Sequence, residues 1–116
     1  MIGFSLTEEQ QACQRLVRDF ARREIVPVAH DLDREQRHSP EIVKKYFEIG
    51  LLHYAVPEVY GGAGLGSLEG CLFAEELGAA CAGIAACLGG NILGLTPLLI
   101  AGSPELKEEL LPKHSA

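Results

Sequence analysis

The run Pro57-Glu58-Val59-Tyr60-Gly61-Gly62-Ala63-Gly64-Leu65-Gly66, followed directly by Ser67-Leu68-Glu69-Gly70-Cys71-Leu72-Phe73-Ala74-Glu75-Glu76-Leu77-Gly78, decides how the rest of the chain is read. Four of the six residues from Gly61 to Gly66 are glycine. Without a Cβ such positions turn tightly and accept positive φ, as a short connection between packed helices requires. Two architectures use a loop of this kind. In one, Leu51 to Val56 is a short strand feeding a dinucleotide-binding Gly-x-Gly turn and a helix amino terminus. The details go against it: Gly62-x-Gly64-x-x-Ser67 lacks the third glycine, and about twenty residues on, the uncharged stretch Cys81 to Asn91 offers no acid for a ribose hydroxyl. In the other, the loop simply joins two helices, and the flanking sequence agrees.

Upstream, Thr7 followed by Gln10 predicts a capping box. Ala12, Cys13, Leu16, Val17, Phe20, Ala21, Ile25 and Val28 then recur at spacings of three and four, the stripe of an amphipathic helix. Glu8, Arg15, Arg18, Asp19, Arg22 and Arg23 form its other, solvated face, with Asp19 and Arg23 in the favourable i,i+4 order. Pro27 should kink or end this helix, because it has no amide to donate and crowds the preceding turn; a polar continuation reaches Gln36. Ser39-Pro40 starts a second helix that runs to Ile49 and stops at Gly50, its face of Ile42, Val43, Tyr46 and Phe47 packing on the first. Ser67 caps a third. Ala82 to Ile100 supplies one or two more around Pro97, and Ser103-Pro104 starts a last one reaching Leu111. The clearest strand candidate, Leu51 to Val56, is too isolated to build a sheet. The expected fold is all-α, an antiparallel helical bundle with a central apolar helix, in one domain of 116 residues.

From Leu77 to Pro104 there is no charged side chain. That length raises the question of a membrane span. Six glycines, Asn91, Thr96 and Pro97 dilute its hydrophobicity, and Glu75, Glu76, Glu105 and Glu108 flank it where a span would carry Lys, Arg or aromatic anchors. The expectation is therefore no membrane span, but a helix buried on every side within a larger soluble protein. A formal charge of −6 without any Lys/Arg cluster argues against a nucleic-acid partner. Cys13, Cys71, Cys81 and Cys87 form no Cys-x-x-Cys pair and lie among apolar or small residues, which predicts buried, reduced thiols and a reducing compartment. Met1-Ile2-Gly3-Phe4 carries no secretory signal or Arg-rich transit pattern.

The Pro57 to Gly66 loop and the Glu75-Glu76-Leu77-Gly78 run after it resemble a hallmark of the acyl-CoA dehydrogenase family, in which such a loop joins two helices of the amino-terminal helical domain. Gly90-Asn91-Ile92-Leu93-Gly94, Pro97 to Gly102, Ser103 to Lys107 and Leu111-Pro112-Lys113 follow the family pattern in order and spacing. The resemblance covers essentially the whole chain and stops where the family's flavin-binding β domain begins. It implies that residues 1–116 are the amino-terminal helical domain, with the flavin-binding β domain and the carboxyl-terminal helical domain absent. For the full enzyme it implies FAD and an acyl-CoA substrate oxidised to the trans-2-enoyl-CoA, a glutamate of the carboxyl-terminal domain taking the proton and flavin N5 the hydride. It also implies an electron-transfer flavoprotein-type acceptor, a homo-oligomer, and a bacterial cytoplasmic or mitochondrial matrix location. On this chain itself no catalytic residue and no FAD contact is expected.

Other constellations carry less. Glu35-x-x-His38 resembles half of a di-iron carboxylate site, but such a site needs a second pair and two more inward glutamates, and this one lies in the hydrophilic run Asp31 to His38. His30, His53 and His114 lack partner spacing for a metal or a nucleophile and receive no role. Glu75, near the stripe of Leu68, Cys71 and Leu72, is read as a partly buried helix-to-helix hydrogen-bond partner. The helix from Ala82 to Gly94 is built of small residues, which either admits a neighbouring helix or leaves room for a ligand. In enzymes of the resembling family this helix lines the acyl-chain channel, so Ala85, Ala86, Gly89, Gly90 and Leu93 are carried over as candidate wall residues. The rival reading is a non-enzymatic helical interaction or membrane-associated module that uses the apolar surface from Leu77 to Pro104.

Overall fold

The computed structural model describes residues 3–115, with side chains as far as Lys113. Its elements are α1 (Glu8–Phe20), a π-helical turn (Ala21–Ile25), α2 (Val26–Arg34), α3 (Pro40–Glu48), a 3₁₀ turn (Glu58–Tyr60), α4 (Ser67–Ala80), α5 (Ala82–Ala101) and α6 (Pro104–Ser115). No strand occurs among the described residues, and Leu51 to Val56 is a series of turns.

The predicted capping box opens α1: Thr7 Oγ1 accepts from the Gln10 amide at 3.1 Å, and the Thr7 amide donates to Gln10 Oε1 at 3.0 Å. Pro27 does not end this helix. The backbone widens to a π turn ahead of it, the Val26 amide donating to the Ala21 carbonyl, so that Pro27 falls in the first turn of α2, where a missing amide costs least. Both α2 and α3 stop in the same way. Arg37 N donates to Leu32 O and Gln36 N to Asp33 O, with Gln36 at φ 50°; Leu51 N donates to Tyr46 O and Gly50 N to Phe47 O, with Gly50 at φ 78°. These are Schellman closures, one on the expected glycine and one on a glutamine that adopts the left-handed region at some cost.

The cap of α4 is Gly66 and not Ser67. Glu69 provides the reason, since its Oε2 accepts from the Gly66 amide at 3.0 Å while Oε1 accepts from Gln10 Nε2 at 2.9 Å, tying the start of α4 to the start of α1. Farther along the pair, Arg18 holds Glu76 with two bonds, Nε to Oε2 at 3.0 Å and Nη2 to Oε1 at 2.6 Å. Arg18, its side chain still 41% exposed, reaches from the edge of the solvated face to Glu76, and the helix-to-helix role expected of Glu75 belongs to Glu76. The buried residues of α4 are Leu72, Phe73 and Leu77; Glu76 borders that stripe, whereas Glu75 lies with exposed Leu68 and Cys71 on the other side.

Val17, Phe20, Ala21 and Ile25 meet Ile42, Tyr46, Leu72, Phe73, Leu77 and Leu88 in the main core, with the Phe20 and Tyr46 rings 5.4 Å apart. Leu16 and Val28, counted in the first helix's stripe, are 42% and 38% exposed, outside the buried core. A second, smaller core joins Val56, Leu95 and Leu111. Together they make a flat slab of 43 × 41 × 20 Å.

Within this chain α5 is buried only at Leu88 and Leu95, while Leu93 and Ile100 are 74% and 78% exposed, so the cover expected on its other sides would have to come from the rest of a larger protein. Its 20 residues are long and apolar enough to cross a membrane by length and composition. The cysteines are not uniformly buried either, since Cys71 and Cys87 sit on the outward faces of α4 and α5 while Cys13 and Cys81 are half-buried; all are free thiols. Helix α5 is a single element running through Pro97, and α6 extends past Leu111 to Ser115.

Candidate functional site

Most amides of the glycine loop are already bonded, which leaves no cradle of free amides for a phosphate. Gly61 N donates to Glu58 O at 2.9 Å, Gly62 N to Pro57 O at 3.3 Å, Gly64 N to Val56 O at 2.9 Å, Leu65 N to Tyr54 O at 2.8 Å, and Gly66 N to Glu69. Gly61 and Gly64 take φ of 87° and 63°, and Gly62 runs so close to Val56 that a Cβ would collide with its carbonyl. The loop's role is placement. It folds residues 51–56 back against α4 and α5.

That placement forms a cleft of about 310 Å³ between α4, α5 and the turn at residues 51–54. Three of the five sequence-assigned wall residues line it, Ala85, Ala86 and Gly89, at the i,i+3 and i,i+4 spacing of one helix face. Gly90 and Leu93 do not; both are exposed on the outer side of α5. No atom lies within 4 Å of where a Cβ on Gly89 or Gly90 would sit, so packing inside this chain does not demand their small size. The opposite wall carries residues that sequence reasoning missed. Tyr54 packs edge-on to Phe73 at 5.2 Å and 85°, and its hydroxyl occupies the space a Gly70 side chain would fill. Asn91, the polar residue in the middle of α5, donates from Nδ2 to Leu52 O at 3.1 Å and fixes the turn to the helix. Gly70 was legible as a glycine within a helical pattern, a position that costs helix stability and so calls for a packing reason.

No charged side chain lines this cleft. Burial pushes the Tyr46 and Tyr54 phenols above their ordinary range, so both stay protonated at neutral pH. Such a surface can enclose hydrocarbon, but it holds no group able to remove a proton.

A second cleft of about 340 Å³ lies between the α2–α3 turn and the start of α5. Its rim includes Arg37 and His38, yet Arg37 Nε is already bonded to Glu35 Oε2 at 2.9 Å. Glu35 and His38 belong to no group of metal-binding side chains among the described residues. His30 is exposed, and the side chain of His114 lies outside the described residues. His53 is buried at 7% exposure with its ring 5.4 Å from Phe47 and Nδ1 without a partner, and burial lowers its pKa. Glu76 is held below the usual carboxylate range chiefly by its hydrogen bond from Arg18, which makes it a fixed anion and not a base.

The chain matches the family described as acyl-CoA dehydrogenase, N-terminal domain, over residues 7–116. It is 45% identical over 111 residues to cyclohex-1-ene-1-carbonyl-CoA dehydrogenase of Geobacter metallireducens, covering 95% of this chain and 29% of the relative. It is 41% identical over 105 residues to the mitochondrial short-chain specific acyl-CoA dehydrogenase of Mus musculus, covering 90% and 26%. Among solved structures, butyryl-CoA dehydrogenase from Megasphaera elsdenii superposes with a TM-score of 0.89 at 27% identity, over 98% of this chain and 31% of that one. A chain in the structure of the electron transferring flavoprotein of Acidaminococcus fermentans gives 0.89 at 29%, over 98% and 30%, and the acyl-CoA dehydrogenase complexed with FAD from Bacillus anthracis gives 0.80 at 29%, over 99% and 20%. The chain spans less than a third of the length of these proteins. An all-α bundle whose glycine loop serves helix placement and whose neighbouring cleft is apolar, matched over residues 7–116, belongs to the acyl-CoA dehydrogenase family as its amino-terminal domain.

Proposed function

We propose that residues 1–116 form the amino-terminal helical domain of an FAD-dependent enzyme that oxidises an acyl-CoA to the trans-2-enoyl-CoA, and that they supply scaffold and one wall of the acyl-chain channel. The observation that carries this is the uncharged 310 Å³ cleft on the small-residue face of α5. Ala85, Ala86 and Gly89 line it, while Gly90 and Leu93 would face channel or neighbouring domains outside this chain. The flavin-binding β domain and the carboxyl-terminal helical domain with its base belong, in this reading, to the remainder of the subunit.

The described residues do not by themselves fit an FAD. Most glycine-loop amides are bonded within the loop, to the turn before it and to Glu69, and the one cation on the rim of the second cleft that is a permanent charge, Arg37, is paired with Glu35. The flavin is therefore assigned to the rest of the subunit. An electron-transfer flavoprotein-type acceptor, a homo-oligomer, and a bacterial cytoplasmic or mitochondrial matrix setting complete the proposal, supported by the kinds of protein the chain resembles.

The test compares two preparations. The complete subunit should carry flavin whose visible absorbance bleaches on adding acyl-CoA, while the 116-residue chain should be colourless and inactive. Stoichiometric flavin on the short chain, or acyl-CoA-dependent dye reduction by it, overturns the division of labour. The exposed apolar face of α5 favours one alternative, an interaction or membrane-associated module, which predicts that the chain partitions into lipid vesicles.

A further inference from the structure

We infer that Tyr54, seated on Gly70 and Phe73, is a gauge of acyl-chain length and branching. This rests on reading the α4–α5 cleft as the acyl channel, and goes beyond it by assigning specificity to the wall opposite α5. Tyr54 is the side chain from the 51–54 turn that reaches the backbone of α4, because Gly70 has no Cβ to keep it away. Its ring fills volume that would otherwise belong to the cleft, and its orientation is fixed on several sides. Phe73 meets it edge to face at 5.2 Å, the Tyr54 carbonyl accepts from Leu65 N at 2.8 Å, and the Leu52 carbonyl, two residues before it, accepts from Asn91 of α5. Half-buried and among apolar neighbours, it is a rigid aromatic stop and not a mobile surface residue.

Rigidity is what makes a gauge. A flexible side chain would yield to a longer or branched substrate at little cost, whereas a ring held by a T-shaped contact and two anchored backbone carbonyls excludes a methylene outright. Removing it should therefore extend the set of accepted substrates in one direction. Pushing it farther into the cleft should do the reverse. Gly70→Ala provides that push, since a Cβ there collides with the Tyr54 hydroxyl and ring and drives them away from α4.

The experiment uses the flavin-loaded complete enzyme and measures kcat/KM for a series of straight-chain acyl-CoA thioesters from butanoyl to hexadecanoyl, with branched short-chain thioesters alongside. Tyr54→Ala, with Tyr54→Leu as the milder variant, should move the optimum to longer or bulkier chains, gaining up to about fourfold for each methylene newly buried, the equivalent of about 0.8 kcal/mol. Gly70→Ala should move it to shorter chains, and Tyr54→Phe should leave the profile in place. Flavin content and helical circular dichroism identify any variant that fails to assemble, in which case the remaining variants decide. If Ala85→Phe reshapes the profile while the Tyr54 and Gly70 variants scale all substrates alike, the gauge is refuted and the channel stands. If none of them alters the profile, the cleft is not the acyl channel and both readings fall.

Discussion

Replacing single glycines with alanine should separate the two kinds of glycine in this chain. At Gly89 and Gly90, where no atom lies within 4 Å of a Cβ position, alanine meets no neighbour, so the only change is in backbone entropy and helix propensity. Each substitution should then stabilise the 116-residue chain by about 0.8–1.0 kcal/mol, raising its melting temperature by about 3–4 °C. At Gly70 the same propensity gain is opposed by the collision with Tyr54, and overpacking of this kind costs about 1–3 kcal/mol, leaving a net loss. Thermal unfolding followed by circular dichroism, with urea titration as a second probe, measures all three. Destabilisation by Gly89→Ala in the chain alone would refute the reasoning, because it would require a neighbour on a face the structure leaves open, such as a second copy. In the complete subunit the expected sign at Gly90 reverses if another domain packs there, and that reversal maps the domain contact.

Acid should weaken the fold in two steps. His53, with its pKa lowered by burial, takes up its proton more readily in the unfolded chain; its contribution is full above about pH 6.5 and declines as pH falls below it, and His53→Leu should flatten this part of the profile. Glu76, lowered by Arg18, contributes above the ordinary carboxylate range and loses that contribution as pH falls through it; Glu76→Gln should reduce this lower step, to which Glu41, Glu69 and Glu105 also contribute, while leaving the upper one. Denaturant titrations between mildly alkaline and acidic pH check both, and a pH-independent midpoint would exclude them. Finally, the 116-residue chain should self-associate or bind a hydrophobic dye strongly while keeping its helical spectrum, because Leu93 and Ile100 are more than two-thirds exposed; a dye-silent monomer would contradict this.

What was legible in the sequence divides by distance along the chain. The Thr7–Gln10 capping box, the Ser39 cap and the Gly50 stop depend on residues within one turn of each other, and each forms as read. The misreadings depend on a partner far away in sequence. Gly66 displaces Ser67 as cap because Glu69, anchored by Gln10, holds the glycine amide. Glu76 takes the role expected of Glu75 because Arg18 of α1 is aimed at that side of α4, and no local pattern separates two adjacent glutamates by an angle of about 100°. Pro27 is a local case, where of the two outcomes expected, a kink or an end, the end does not occur: a π turn just ahead of it shifts the hydrogen-bond register and the helix continues to Arg34.

The same logic explains why half of the candidate wall was invisible. The α5 side could be listed from small residues at helical spacing, a local property, and three of those residues do share the cleft. The facing side is set by a tyrosine in a turn, a glycine in one helix and an asparagine in another, sixteen to thirty-seven positions apart, and only folding brings them together. Asn91 shows the connection most plainly. An amide side chain in an otherwise apolar helix reads as a flaw in a span, but here it satisfies the Leu52 carbonyl where the chain has no regular structure to do so. An Asn91→Leu substitution would preserve the helix and its hydropathy, yet leave that carbonyl unpaired and the turn that carries Tyr54 unanchored. The polar residue in α5 thus governs the shape of an apolar cleft, through the backbone of a loop.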